Sequence, residues 1–472
     1  MVCALALSGC ATVAPPANAL AATTLPTTWV NVPPATSSAN RTPPDDLSRW
    51  WLRLGDAQLA ALVDKALQHN SSIESARAAL QQARALRDVS AASLLPSIDA
   101  SASAQRNVAN AGTGNSFRAG FDASWEPDLF GGTRAGVSAR DADTAASAAR
   151  LDDAQVSVAA EVALDYLQLR GSQARLAIAQ ANLASQRDTL QIAQWRATAG
   201  LASTLDVEQA RAAAAQTQAQ LPALDAAATK AAHALAVLVG ESPGSLNASL
   251  AAPAAVPQAP ADLALAFPAD TLRQRPDVRA AEASVLAASL RVTQADAARY
   301  PSFHLGGSLG LSALTLGSLT SGSSLVASLL GSVGMPLLDG GAAAANVRAQ
   351  QAALAQAQAG YRAAVLAALK DVEDALVGLA ADRQRADALQ VAAQSAADAA
   401  LLATQRYQSG LIDFQTVLET QRTQLGAQDS VAAIRTDIAS DHVRLYKALG
   451  GGWQPMPPVR TELPGEPAAK TP

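Results

Sequence analysis

The chain has 472 residues, of which 16% are charged and 4% aromatic, and its formal net charge is −5. That length fits two or three ordinary domains, and the absence of a basic stripe argues against a nucleic-acid partner. No run of eighteen uncharged apolar residues occurs, so a transmembrane helix is excluded and only strands could cross a bilayer.

At the N-terminus, Leu7-Ser8-Gly9-Cys10 resembles a bacterial lipobox, in which the cysteine is lipidated and becomes the first mature residue. Residues 1–9 then read as a truncated signal-peptide remnant, short and without a basic region. Residues 10–47, rich in Pro, Thr, Ser and Ala, resist folding and suit a lipidated tether. Ala11, where Asp would retain a lipoprotein, favours the outer membrane by the same resemblance. Cys3 falls in the leader, so no disulfide is expected, and covalent lipid at Cys10 is the only prosthetic group expected.

Residues 48–240 form a first structural unit. Between Ser116 and Glu126, Phe117, Ala119, Phe121, Ala123 and Trp125 alternate with Arg118, Gly120, Asp122, Ser124 and Glu126, the period of a strand with one apolar face. A weaker alternation over about 97–107 supplies its partner, and 108–115 reads as a flexible hairpin loop. Pro96 sits where helix gives way to strand, and Gly131-Gly132 where strand returns to helix. Long helices are predicted over about 133–200 and 203–239, with Gly200 as a left-handed C-cap between them. Val162, Leu169, Leu176, Leu183 and Leu190 fall seven apart, which means packing against neighbouring helices.

A Pro/Ala-rich linker, 241–267, separates this unit from a second copy over 268–453. Arg196-x-x-x-Gly200-Leu201 recurs as Arg406-x-x-x-Gly410-Leu411, an offset of 210. Leu95-Pro96 answers to Tyr300-Pro301 at 205, and Phe130-Gly131-Gly132 to Asp339-Gly340-Gly341 at 209. Each unit is domain-sized, so this is one duplicated fold and no solenoid. The copy predicts strands at about 302–312 and 325–336, and helices at about 342–409 and 413–449. Arg275-Pro276-Asp277 opens a further helix, with proline in the first turn. The seven-residue seam returns as Val372, Leu379, Ala386, Ala393 and Ala400. Residues 454–472 read as a flexible tail.

Each strand has the length needed to cross a bilayer when tilted, yet four strands cannot close a barrel. Either they lie in a sheet in water, or other copies of the chain complete them. Helices of about 68 residues, or ~100 Å, have no place in a compact globule. A coiled-coil rod is the ordinary explanation, and the lipid-length hairpins argue against a plain one.

Three motifs then make a resemblance specific: Trp125-Glu126-Pro127-Asp128-Leu129-Phe130-Gly131, Arg275-Pro276-Asp277-Val278-Arg279-Ala280-Ala281-Glu282, and Leu445-Tyr446-Lys447-Ala448-Leu449-Gly450-Gly451-Gly452-Trp453. From Trp50 to Trp453 the chain resembles the TolC-type outer-membrane factors, most closely the NodT-like lipoproteins of RND efflux systems. The resemblance implies an α+β membrane protein: a homotrimer sharing one 12-stranded β-barrel, continued by an α-helical coiled-coil tunnel through the periplasm. It also implies a periplasmic membrane-fusion adaptor and an inner-membrane RND-type transporter as partners, and an outer-membrane, lipid-anchored location. The function implied is a passive exit duct for drugs or other small toxic compounds. A duct for type I protein secretion and a non-channel periplasmic coiled-coil lipoprotein are the alternatives.

By the same resemblance the tunnel closes at its periplasmic end through a carboxylate ring, whose position falls on Glu419. One turn earlier Gln415 stands where relatives often carry leucine. Asp206 matches a family aspartate that bonds a tyrosine across the tip, and Tyr407 stands at that tyrosine position. Ile412 replaces a nearby arginine, so any such lock is expected to be weaker. Three Glu419 carboxylates about one axis would attract cations and be blocked by multivalent ones; the plainer reading is a solvated helix-face charge.

Enzymatic chemistry is not expected. Gly306-Gly307-Ser308-Leu309-Gly310 fits the G-x-S-x-G pattern but lies in an alternating strand, without the strand–turn–helix elbow that motif needs. His69, His233, His304 and His442 show no metal-ligand spacing, and neither a P-loop nor a dinucleotide fingerprint occurs. Without a nucleotide site, the energy for transport must come from a partner pump.

Overall fold

The computed structural model describes residues 29–30, 47–109, 112–260 and 274–453. Cys10, most of the 10–47 tether and the 454–472 tail lie outside them. One point of the tether packs: Trp29 is buried, and Val30 N donates to Glu373 Oε1 at 2.8 Å.

The chain divides into two compact units that do not coincide with the two repeats. One holds 75–151 and 276–368; the other holds the described residues of 26–74, 152–275 and 369–472. Each unit takes parts of both repeats: strands of the two copies pair in the first, and helices of the two copies pack in the second.

The first unit is built on a four-stranded antiparallel sheet, β1 (Ser97–Ala109), β2 (Gly112–Trp125), β3 (Ser302–Ala313) and β4 (Leu325–Gly334), in chain order. The register puts Ala100, Phe121, Leu309 and Ala327 in one row, and Asp99, Asp122, Ser308 and Ser328 in the next. The predicted alternation therefore gives β1, β2 and β3 one largely apolar and one largely polar face, whereas β4 carries Val326 and Leu330 on the polar side as well. Polar side chains bond to each other: Ser101 Oγ donates to Asp122 Oδ2 at 2.8 Å, and Ser308 and Ser328 hydroxyls lie 2.7 Å apart. Gly120 and Gly310 face each other so closely that a Cβ on either would come within 2.7 Å of the opposite backbone.

Two strand limits differ from the sequence reading. The expected loop at 108–115 is mostly strand, since Asn107 pairs with Gly114, Val108 with Thr113 and Ala109 with Gly112. Turn-like composition lost there to the ladder, which satisfies backbone groups that a loop leaves open. Strand β4 stops at Gly334, before Pro336, which has no N–H to give.

The helices are α1 (Ala57–His69), α2 (Ser71–Ala92), α3 (Gly132–Thr198), α4 (Thr204–Leu238), the short α5 (Asn247–Leu250), α6 (Pro276–Ala297), α7 (Ala342–Gln408) and α8 (Phe414–Ala448). Asp56 caps α1, its Oδ1 accepting from Gln58 N and Leu59 N. Pro276 opens α6 as its motif predicted. Its neighbour Arg275, buried in the second unit, donates to Ala448 O at 2.7 Å and pairs with Asp371 at 3.2 Å, so the motif is structural.

In the second unit the seven-residue seam is the packed side of both long helices. Val162, Leu169, Leu183, Val372, Leu379, Ala393 and Ala400 are buried, and Leu176, Leu190 and Ala386 half-buried. The partner of α3 includes α8 from the other repeat, a pairing the periodicity did not show. Arg175 forks onto Asp429 at 2.6 and 2.9 Å, and Asn182 Nδ2 donates to Gln428 Oε1 at 2.8 Å. Gly171 allows this approach, since a Cβ there would lie 2.4 Å from Thr436 Oγ1. Trp50 stacks on Tyr446 at 5.1 Å in the same core. The described part of the 241–267 linker is pinned: Gln173 Nε2 donates to Leu250 O and Arg170 Nη1 to Ala252 O, at 2.8 and 2.7 Å.

Candidate aperture at the paired interhelical turns

The turn between α3 and α4 and the turn between α7 and α8 are two copies of one device. Gly200 and Gly410 take φ of 72° and 74°, a left-handed conformation that glycine enters without strain. Leu201 N then donates back to Arg196 O at 2.7 Å and Leu411 N to Arg406 O at 2.9 Å, closing each helix end. The next helix starts on a cap in both copies. Ser203 and Asp206 form a reciprocal capping box, with Ser203 N donating to Asp206 Oδ2 at 3.0 Å and Asp206 N to Ser203 Oγ at 3.2 Å. Asp413 accepts from Thr416 N at 2.9 Å and Thr416 Oγ1 at 2.5 Å, and these bonds hold its carboxyl below the usual range.

Between the turns lies a small apolar core of Ala193, Ala210, Ala403, Tyr407, Phe414, Val417 and Leu418, with Ile412 against it. Alanines let the helices approach, and the two rings fill the space, 5.2 Å apart and tilted 56°. The expected Asp206–Tyr407 bond is not made. Asp206 is held by its own capping box three residues away, and the buried Tyr407 hydroxyl has no hydrogen-bond partner. Burial raises the Tyr407 pKa, with Arg196 opposing and Asp206 adding to the rise.

The structure supplies a different tie. The Arg196 guanidinium lies 4.6 Å from the Tyr407 ring centroid, while Nη1 donates to Tyr407 O at 2.7 Å and Gln408 O at 3.3 Å. A cation thus sits on the last carbonyls of α7, where the helix dipole favours it. This arginine comes from the first repeat and the ring from the second. Sequence reasoning passed over Arg196 as a repeat marker, although its recurrence beside a turn was the available signal.

Glu419 and Gln415 sit one turn apart on the exposed side of α8, opposite buried Phe414, Val417 and Leu418. Glu419 pairs with Arg422 at 3.4 Å, both side chains 63% exposed. The repeat offset places Leu205 where the second copy has Gln415, and Leu205 is exposed too, with Leu201 and Leu411 nearby in sequence. The apolar position that Gln415 lacks is therefore present once per chain. Among the described residues no acidic, His or Cys cluster could hold a metal, and the G-x-S-x-G run lies inside β3.

A family model described as "Outer membrane efflux protein" matches residues 62–241 and 267–451, one stretch in each repeat. The chain belongs to the outer membrane efflux protein family. It is 34% identical to the pyoverdine export outer membrane protein OpmQ of Pseudomonas putida, over 97% of each chain. It is 28% identical to nodulation protein T of Rhizobium leguminosarum bv. trifolii, covering 86% of this chain and 88% of that one. Among solved structures, the outer-membrane channel OprN superposes with a TM-score of 0.85 at 33% identity, covering 91% of this chain and 98% of that one. These likenesses bear out the NodT-like, TolC-type reading and the fold drawn from the duplication. As an outer membrane efflux protein, the chain is an outer-membrane channel through which exported compounds leave the cell, reaching into the periplasm. The family is one of channels, and the strand setting of Ser308 agrees with that.

Proposed function

We propose that three copies of this chain close one 12-stranded barrel and form the passive exit duct of a tripartite efflux system. The observation that carries closure is the sheet itself. Strands β1 and β4 each leave one edge unpaired, while Phe121, Leu309 and Leu329 lie exposed on the face made for lipid. An open edge in hydrocarbon leaves backbone groups unsatisfied at several kcal/mol each, on the order of the stability of a whole domain when summed over a strand. Pairing β4 of one copy with β1 of the next removes both edges.

The sequence carries neither a P-loop nor a dinucleotide fingerprint, which supports a periplasmic membrane-fusion adaptor and an inner-membrane RND-type transporter as the partners that deliver cargo. A relative named for pyoverdine export supports small exported compounds over proteins. Acylation of Cys10 anchors the assembly, and Glu419 from each copy lines the aperture. Mass measurement in detergent together with planar-bilayer conductance tests the duct: trimers that conduct are expected, and a monomer that stays in water once delipidated overturns it. Intact-mass analysis of the mature N-terminus tests Cys10 separately.

A further inference from the structure

The apolar face of the sheet carries a single charge. Ile98, Ala100, Ala102 and Ala104 of β1 share that face with Phe121 and Leu309. Arg106 comes next in the same alternation, opposite Asn115 of β2. Among the described strand residues it is the only charged side chain on this face. Both Arg106 and Asn115 are exposed.

The height of Arg106 follows from the register. Trp125 marks the helix end of the same face, where its indole Nε1 donates to Leu94 O at 3.0 Å. Asn115, the pairing partner of Arg106, lies ten residues before Trp125 on β2. At ~3.3 Å per residue and a strand tilt of about 40°, that spacing spans roughly 25 Å of membrane. An outer-membrane barrel has an apolar band of about that height, with aromatic residues at its boundaries. Trp125 therefore takes one boundary, and Arg106 stands at the other, among headgroups.

The protein supplies no counter-charge there. Neither 100–121 nor 300–338 contains Asp or Glu. The first stretch holds the rest of the hairpin, and the second holds β3, β4 and the chain between them. No carboxylate of the sheet meets Arg106, whichever strand of another copy lies beside β1. The nearest acids, Asp99 and Asp122, belong to the opposite face, and Asp99 is seven residues back along β1, or ~23 Å.

We infer that Arg106, with Asn115 beside it, is a binding site for the phosphate group of an outer-leaflet lipid. The inference rests on the barrel proposed above and names what lies against it at one point. A guanidinium forks onto phosphate oxygens through parallel N–H donors, and the Asn115 amide supplies a further donor next to it. A charge facing lipid is costly at the middle of a membrane and nearly free at its boundary, where an anionic headgroup makes it favourable. Arg118 is the natural comparison. It lies three residues along β2 from Asn115, but on the polar face, between Ser103 and Ser312.

Lipid retention by the full chain, purified from outer membranes, tests the site. The probes are diphosphoryl lipid A and its fully dephosphorylated form, which share their acyl chains and differ in the phosphates. Native mass spectrometry counts the lipids kept per particle. Wild-type protein is expected to keep the phosphorylated probe about fivefold better, the equivalent of one basic residue at an anionic surface. Arg106→Gln should abolish that preference, and Arg106→Lys should restore part of it, because an ammonium brings charge without the fork. Arg118→Gln, which removes a charge from the other face at nearly the same height, should leave the preference intact. Equal retention of the two probes by the wild-type protein overturns the site and needs no variant. So does a loss in Arg118→Gln equal to that in Arg106→Gln, since charge anywhere on the barrel would then account for binding. Wild-type protein that conducts in planar bilayers while showing either result keeps the duct and loses only the phosphate site. A chain that stays monomeric in water overturns both.

Discussion

Arg196 of the first repeat lies over the ring of Tyr407 of the second, and holds the carbonyl of that same residue at 2.7 Å. One side chain therefore joins the end of α3 to the end of α7 through a ring face and a backbone oxygen together. Arg196→Ala removes both contacts, a loss of about 1–3 kcal/mol at the turns. Faster amide exchange over 403–414 and larger single-channel conductance are expected. Arg196→Lys should recover little, since a point ammonium neither stacks nor forks as the planar guanidinium does.

Tyr407→Phe separates this tie from the aspartate–tyrosine lock that resemblance alone implies. The hydroxyl is buried without a partner, so removing it relieves an unsatisfied polar group and keeps the ring under Arg196. Conductance should be unchanged and stability equal or slightly higher, by up to about 1 kcal/mol. A clear opening of the channel in Tyr407→Phe would show that Asp206 holds the hydroxyl after all.

Glu419→Ala should leave folding intact, because its pair with Arg422 is exposed on both sides and worth little, about 0–1 kcal/mol. Its effect belongs to the assembly. Reversal potentials under a salt gradient should lose cation preference and block by divalent ions should weaken; identical values in both proteins would remove the ring.

The burial of His442 predicts an acid-sensitive fold. The ring is buried on α8, its Nε2 accepts from Arg383 Nη2 at 3.3 Å, and burial followed by the Arg383 charge lowers its pKa from 6.5 to about 4. The unfolded chain then binds a proton that the folded one refuses, so stability falls as pH drops from about 6.5 toward 4. Neighbouring Asp441 works the other way, since burial raises its pKa. His442→Gln should flatten the fall in thermal midpoint over that window, and an unaltered pH profile would assign the sensitivity elsewhere.

Much of this architecture is written in periodicity. The alternation of Phe117 to Trp125 and of Phe303 to Leu311 marked both strands, and the register confirms that these residues share a face. The seven-residue seams and Gly200 and Gly410 marked the helices and their ends, because each depends on local spacing or on one residue's backbone freedom. Less visible was the hairpin at 107–114, where pairing outweighed turn composition. Arg196 escaped for another reason: nothing local to it says which ring it will cover.

The sequence by itself determined the duplication, the strand faces, the length of the helices and the family to which the chain belongs. Those follow from spacing along the chain, which any copy of the sequence carries. Tertiary structure alone decided that α3 takes α8 of the other repeat as a partner, that Asp206 serves a cap while Arg196 ties Tyr407, and that among the described residues β1 and β4 each keep one unpaired edge. Each of these depends on which distant groups arrive within a few ångströms, and only the folded chain brings them there.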